Sequence, residues 1–246
     1  MQLLFAFDDG AATFADIHYR LLIRFGRQGP WRLLDPVSQL VLGIIGGRTR
    51  GTVSLLVLEA LVQRFGSWEA VRDAAYHDVQ REIFRVTFAE NKARHLQAAL
   101  RQLTALRGSL ELEFLAAWPV DAALEWLERL PGVGRKASAA TLNFSSLRMK
   151  ALVIDSHHLR VMTRLGLIGA KATTMDAYLS IVPRLPSRWI AADIDEHHQL
   201  VKSLGQTICR HDTPACADCP LQDLCSFKKR SARVCWDPRI DVHKAR

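Results

Sequence analysis

The run Leu130-Pro131-Gly132-Val133-Gly134-Arg135-Lys136-Ala137 most restricts how this chain can fold. Ahead of it, Ala123, Leu124, Leu127 and Leu130 recur at helical spacing, which predicts a short amphipathic helix over 120–129. Pro131 and Gly132 stop that helix, and Gly134 supplies a turn position that a side chain would crowd. A second helix is predicted over 135–145. Its first backbone N–H groups have no partner inside the helix and point outwards, an arrangement suited to a phosphate. A hairpin of this kind holds a nucleic-acid backbone without reading its bases. Gly132, Gly134 and Arg135 are therefore candidate backbone contacts.

Lys136 falls in the first turn of that second helix, where the helix dipole disfavours a positive charge. The placement favours the neutral amine that nucleophilic catalysis by lysine requires. A plain surface lysine in a turn fits the same residues. Nineteen positions on, the apolar run from Ala151 to Ile154 ends at Asp155, followed by Ser156, His157 and His158. One role for Asp155 is to cap a helix over 158–165. The other is chemical: a carboxylate at a helix start, sharing a cleft with Lys136, stabilises a positively charged sugar and moves protons. One residue can hold both roles.

Helical stripes recur along the 246 residues and period-two alternation is scarce, so the fold class is all-α. Phe14, Ile17, Leu21, Leu22 and Phe25 mark a helix over 13–25, broken by Gly26, Gly29 and Pro30. Asp35 and Pro36 start another, as N-cap and first residue, that runs to Gly46 and Gly47. Residues 52–65 are apolar nearly all round, which predicts a central buried helix. Ser67 is read as the cap of a short helix to residue 75, and Asp78 as that of another to 84. Over 90–106, Ala93, Leu96, Leu100, Leu103 and Leu106 form the clearest stripe, leaving Lys92, Arg94, His95 and Arg101 on a solvated face. A last helix over 193–208 turns Leu200, Val201, Leu204 and Ile208 inwards and carries His197 and His198. Neither His-His pair has a partner at ligand spacing, so both pairs read as structural or nucleic-acid-facing.

The net charge of +8 suits an anionic partner. No apolar run reaches the length of a membrane span, and the first ten residues lack the layout of a signal peptide, so the expected location is the cytosol, beside the nucleoid in a bacterium. Disulfides are disfavoured there, and five cysteines need another reading. Cys209, Cys216, Cys219 and Cys225 have six, two and five residues between them. Zinc ribbons use two close Cys-x-x-Cys pairs, whereas only Cys216 and Cys219 are that close, so a tetrathiolate [4Fe–4S] cluster is the expected cofactor. Cys235 is left over as an incidental thiol.

Three motifs taken together, residues 130–136, Ile154-Asp155-Ser156-His157 and the four-cysteine loop, resemble the endonuclease III branch of the helix-hairpin-helix DNA glycosylases. The resemblance covers roughly residues 35–229. It implies a two-domain all-α fold. A six-helix domain over 29–148 carries the hairpin, and a discontinuous [4Fe–4S] cluster domain, 1–28 with 149–246, ends in a basic tail. The active site lies in the cleft between them. It also implies a monomeric bifunctional glycosylase and AP lyase acting on double-stranded DNA, with no membrane partner. Lys136 is then the nucleophile, Asp155 the catalytic carboxylate, His157 a DNA-facing residue and an oxidised pyrimidine the expected lesion. Two other functions stay open: a monofunctional glycosylase for a mismatched or alkylated base, with Lys136 a bystander, and a non-catalytic DNA-binding relative.

The chain departs from that family where the gap left by a flipped base is filled. The family's Leu-Leu-Ser-Ala-Gln-Ala-Thr-Asp stretch reads here as residues 44–51, with Arg48 in place of the gap-filling glutamine and Gly51 in place of the aspartate. The family's second wedge falls near Phe88. Arg48 fills the gap by stacking and by hydrogen bonding to the opposite base, or it is a phosphate contact that abandons the plug.

Overall fold

The computed structural model describes residues 10–29 and 33–228. In chain order its helices are α1 (Gly10–Phe25), α2 (Pro36–Gly46), α3 (Gly51–Phe65), α4 (Trp68–Asp73), α5 (Tyr76–Glu82) and α6 (Ala89–Arg107). After them come α7 (Val120–Glu128), α8 (Arg135–Phe144), α9 (Ser156–Leu165), α10 (Thr174–Ile181) and α11 (Ala191–Thr207). No β-strand occurs among the described residues, where pairing is confined to one isolated bridge between Leu34 and Ser145. None of their helices is long and apolar enough to cross a membrane. Contacts divide the chain into two units. The hairpin unit is Pro30–Val153 with Ile190–Asp195, and the other, here the histidine unit, is Met1–Gly29 with Ile154–Trp189 and Glu196–Arg246.

Within the hairpin unit α2 is the central element. Asp35 caps it, its carboxylate accepting from the Ser38 N–H at 2.8 Å, while Pro36 occupies a position whose N–H would have no partner. Val37, Leu40, Val41, Ile44 and Ile45 are all buried, and each such side chain stabilises the fold by roughly 1.5–3 kcal/mol. Gly43 lets α8 come close, since a Cβ there would lie 3.0 Å from the Cβ of Ala137. The helix predicted to be central, α3, is not. It buries Ser54, Val57, Leu58 and Leu61 but leaves Leu55, Leu56 and Val62 about half exposed. An apolar sequence permits burial all round, but only one face of α3 finds a neighbour.

Along α6 the stripe Ala93, Leu96, Leu100 and Leu103 is buried as its spacing predicts. Two residues depart from that pattern. Leu106, at its end, is exposed, and Lys92, assigned by its place on the wheel to the solvated face, is 8% exposed.

The histidine unit is built on α1, whose Phe14, Ile17 and Leu21 are fully buried, and on α9, α10 and most of α11. Helix α10 had no counterpart in the periodicity reading, yet its start is local: Thr173 and Asp176 form a capping box. The unit does not answer to the [4Fe–4S] domain that was expected. Among the described residues no group of three or more His, Cys, Asp or Glu side chains is disposed to hold a metal ion.

Candidate active site

In the hairpin unit, Leu130 and Val133 are buried beneath the turn that joins α7 to α8. Gly132 has two reasons to be glycine. Its φ is +76°, and a Cβ would sit 2.6 Å from the Cβ of His95. Gly134 has neither, which corrects the expectation that a side chain there would be crowded: its φ is −113° and nothing lies within 4 Å of an added Cβ. Gly134 is the N-cap of α8 and offers no side-chain cap, so the helix mouth is bare backbone. That bareness is what an approaching phosphate needs.

Arg135 does not reach outwards. Its Nε lies 2.7 Å from Glu128 Oε1, and Ser138 Oγ donates to the same carboxylate oxygen at 3.1 Å. The guanidinium thus braces α7 against α8, and what Arg135 presents at the helix mouth is its N–H. Lys136, second in α8, is exposed. Its charge is felt by Lys92, whose ammonium is pushed down to about 8, chiefly by burial and then by Lys136.

Arg48 and Phe88 come together in the same unit. Both are exposed non-glycine residues with positive φ, +55° and +59°, and the Arg48 guanidinium carbon lies 5.9 Å from the Phe88 ring centre. Positive φ is uncommon away from glycine and persists only where surrounding contacts hold it. Three residues that do so, Thr49, Thr87 and Lys92, carry no signal in a stripe-by-stripe reading.

In the histidine unit Asp155 caps α9, its Oδ1 accepting from the His158 N–H at 2.8 Å. Burial by itself would raise the Asp155 carboxyl. The charge of His198, the bond from the His158 N–H, and the charges of His158 and His157 outweigh it and hold the group below the usual carboxylate range. The His157 ring packs on Gly205 of α11, where an added Cβ would meet its Cβ at 2.8 Å. Arg160 Nη2 lies 3.1 Å from His157 Nδ1, which must accept because a guanidinium only donates. The other half of each His-His pair is structural. His158 and His197 are fully buried, neither ring nitrogen of either has a hydrogen-bond partner among the described residues, and their centroids lie 5.7 Å apart at an edge-on angle.

No family model matches the chain. Among curated proteins it is 26% identical over 170 residues to endonuclease III of Bacillus subtilis, covering 69% of this chain and 71% of that one. To endonuclease III of Synechocystis it is 27% identical over 200 residues, 80% of this chain and 83% of the relative. The match to the Arabidopsis thaliana DEMETER-like protein 2 is 26% over 183 residues, only 14% of that protein's length. A solved non-covalent endonuclease III–DNA complex superposes with a TM-score of 0.74 over 90% of this chain and 98% of that one, at 20% identity. A thermostable thymine-DNA glycosylase does so with a TM-score of 0.71, over 90% and 97%, at 17% identity.

The fold is the endonuclease III fold.

On that fold the expected iron–sulfur site is corrected. Cys209, Cys216, Cys219 and Cys225 line one pocket with Arg164, Ile208 and Phe227, and among the described residues none of the four is in a disulfide. A cluster requires thiolates turned onto a common centre. Here Cys225 Sγ donates to the Arg164 carbonyl at 3.4 Å, and Cys209 Sγ accepts from Arg164 Nη1 at 3.4 Å. The same guanidinium donates to the carbonyls of Arg210 and His211. Arg164 thus ties the loop together, and no metal-holding group is found among the described residues. Sequence spacing places four thiols on one loop but says nothing of where they point. Cys235 and the basic segment 229–246 lie outside the described residues.

Proposed function

We propose that the chain is a bifunctional DNA glycosylase and AP lyase of base-excision repair, with Lys136 as nucleophile and Asp155 as its carboxylate. The observation that carries this reading is an exposed lysine in the first turn of α8, beside a helix mouth with no side-chain cap. The N–H groups at that mouth hold a phosphate of double-stranded DNA, and a damaged base leaves the stack. Once it has given up a proton, the Lys136 amine attacks the sugar C1′, and the base departs with the electrons of the C1′–N bond. The amine loses its proton and the sugar ring opens to a Schiff base. Loss of a C2′ proton then expels the 3′ phosphate, cutting the strand. Asp155, held in its ionised form, stabilises the positive charge that develops on the sugar and relays protons. Its capping bond to His158 fixes where that charge sits.

The substrate of this reading is an oxidised pyrimidine, supported by the likeness to the endonuclease III proteins. Arg48 and Phe88 enter the space the base vacates, supported by their exposure and their pairing. Borohydride trapping on a panel of damaged duplexes tests the whole. Wild-type protein is expected to form a covalent adduct with a duplex containing an oxidised pyrimidine. Lys136→Ala is expected to lose the adduct and strand cleavage while still binding the duplex. Excision without an adduct in the wild type would make the enzyme monofunctional. Adducts formed by Lys136→Ala at the wild-type rate would hand the chemistry to another amine.

A further inference from the structure

Arg48 and Phe88 stand on loops forty residues apart in the chain, each with a backbone that needs holding. Thr87 joins the two loops. Its hydroxyl donates to the Arg48 carbonyl at 2.9 Å, and its N–H donates to Thr49 Oγ1 at 3.1 Å. Beneath this junction lies the ammonium of Lys92, which donates to Thr49 Oγ1 at 3.0 Å, to the Ile45 carbonyl at 2.7 Å and to the Gly47 carbonyl at 2.6 Å.

An ammonium has three protons, and these three oxygens use all of them. That saturation, with burial, removes Lys92 from any contact with DNA and from the solvated face its spacing suggested. Its place in the first turn of α6 gains nothing from α6's own dipole. What it serves is the far end of α2, where Ile45 and Gly47 present carbonyls that no further helical turn satisfies. The lysine is therefore spent on the turn that carries Arg48.

We propose that Lys92 is a positioning residue for base excision, locking the 46–49 turn and the 86–88 loop into one element so that Arg48 and Phe88 are presented as a pair. The proposal rests on the reading of Arg48 as a residue that enters the vacated gap. Excision needs that pair in place before the base leaves, whereas a preformed abasic site has no base to displace. Lys92 therefore acts on one activity more than on the other.

Lys92→Met keeps the apolar stem and removes the three donors. Single-turnover excision of an oxidised pyrimidine is expected to fall about tenfold further than strand cleavage at a preformed abasic site, with preference among the four opposite bases flattened. The Lys92→Met, Arg48→Ala double variant is expected to lose less than the product of the two single losses, because Lys92 works through the pair to which Arg48 belongs. Equal losses in the two activities, or a double variant showing the product of the two single losses, would overturn the proposal. Wild-type excision and opposite-base preference in Arg48→Ala would remove the Arg48 reading and this proposal with it. A defect in Arg48→Ala with none in Lys92→Met would overturn the proposal alone. Should Lys92→Met fail to fold, Thr87→Val removes only the hydroxyl bond to Arg48 from an exposed position, and its expected result is the same selective loss, several-fold in size. Unchanged selectivity in Thr87→Val would overturn the proposal.

Discussion

Asp155 shows how one carboxylate serves structure and chemistry together. As the cap of α9 it satisfies the His158 N–H, and as an ionised group it sits among His157, His158 and His198. Asparagine caps a helix as well as aspartate does but carries no charge. Asp155→Asn is therefore expected to melt only a few degrees below wild type, since the cap survives and what is lost is the attraction between the carboxylate and His198. Base excision is expected to fall by about 10²–10⁴-fold, the usual worth of a positioned acid–base group. Trapping at preformed abasic sites should suffer less, because no glycosidic bond has to break. A large drop in melting temperature with a modest drop in excision would reduce Asp155 to its cap.

The hairpin between α7 and α8 separates two glycines that look alike in sequence. Gly132 is required by the chain itself, through its positive φ and the approach of His95. Nothing among the described residues requires Gly134. Gly132→Ala is expected to destabilise the fold by roughly 1–3 kcal/mol, the cost of a strained left-handed residue. Gly134→Ala should leave the melting temperature unchanged and weaken DNA binding, because only an incoming phosphate meets the new methyl group. Thermal melts beside duplex titrations decide between them. If both variants melt alike and bind alike, the helix mouth is not where the backbone is held. The motif was legible in sequence because Pro-Gly-x-Gly acts locally. Which glycine serves the fold was not, because the clash at Gly132 comes from His95 on α6.

At the scale of the molecule, acid and salt probe different parts. Burial first, then the charge of His198, outweighs the attraction of Asp155 and lowers His158 to about 3. Burial, with His158, His18 and His198, lowers His197 in the same direction. An unfolded chain takes up these protons near pH 6.5 while the fold refuses them, so stability falls as pH drops below that value. Each histidine contributes a loss of about 1.4 kcal/mol per pH unit in that window. Asp155, being depressed, acts with the same sign only below about pH 4, where the unfolded carboxyl takes up its proton. The drop in melting temperature between pH 7 and pH 5 should therefore shrink in His158→Leu. An unchanged drop would mean that His158 takes up its proton in the fold. Salt addresses the C-terminal charge. Residues 230–246 hold Arg230, Arg233, Arg239, Lys244 and Arg246 against Asp237 and Asp241, a net +3 of the chain's +8. Their removal is expected to weaken binding to every duplex alike. The fall of log affinity with log salt should become shallower by about 0.9 for each phosphate left without its cation. A slope that does not move would place all the phosphate-binding cations elsewhere.

Most of the predicted helix starts were legible because a cap acts within four residues of itself; Asp78 was not one of them, since α5 begins after Ala75 with no side-chain cap and Asp78 lies inside its first turn. Asp35, Ser67 and Asp155 each accept from an N–H three positions on, as their order in the chain requires. The all-α class was legible for the same reason, since stripes of apolar residues report their own period. Thr173 and Asp176 carry an equally local signal for α10, whose eight residues are too few to show a stripe of their own. Burial was another matter. Lys92 and Leu55 show that a residue's place on a helical wheel fixes its direction but not what stands there: α2 ends over one, and the other stays about half exposed. The pairing of Arg48 with Phe88, the enclosure of His158 and His197, and the turning of Cys209 and Cys225 towards Arg164 depend on segments brought together from far along the chain. Sequence by itself decided where the backbone turns and which N–H groups are left bare. Tertiary packing decided which side chains lose water, because solvation depends on the neighbours a fold supplies and not on those the chain does.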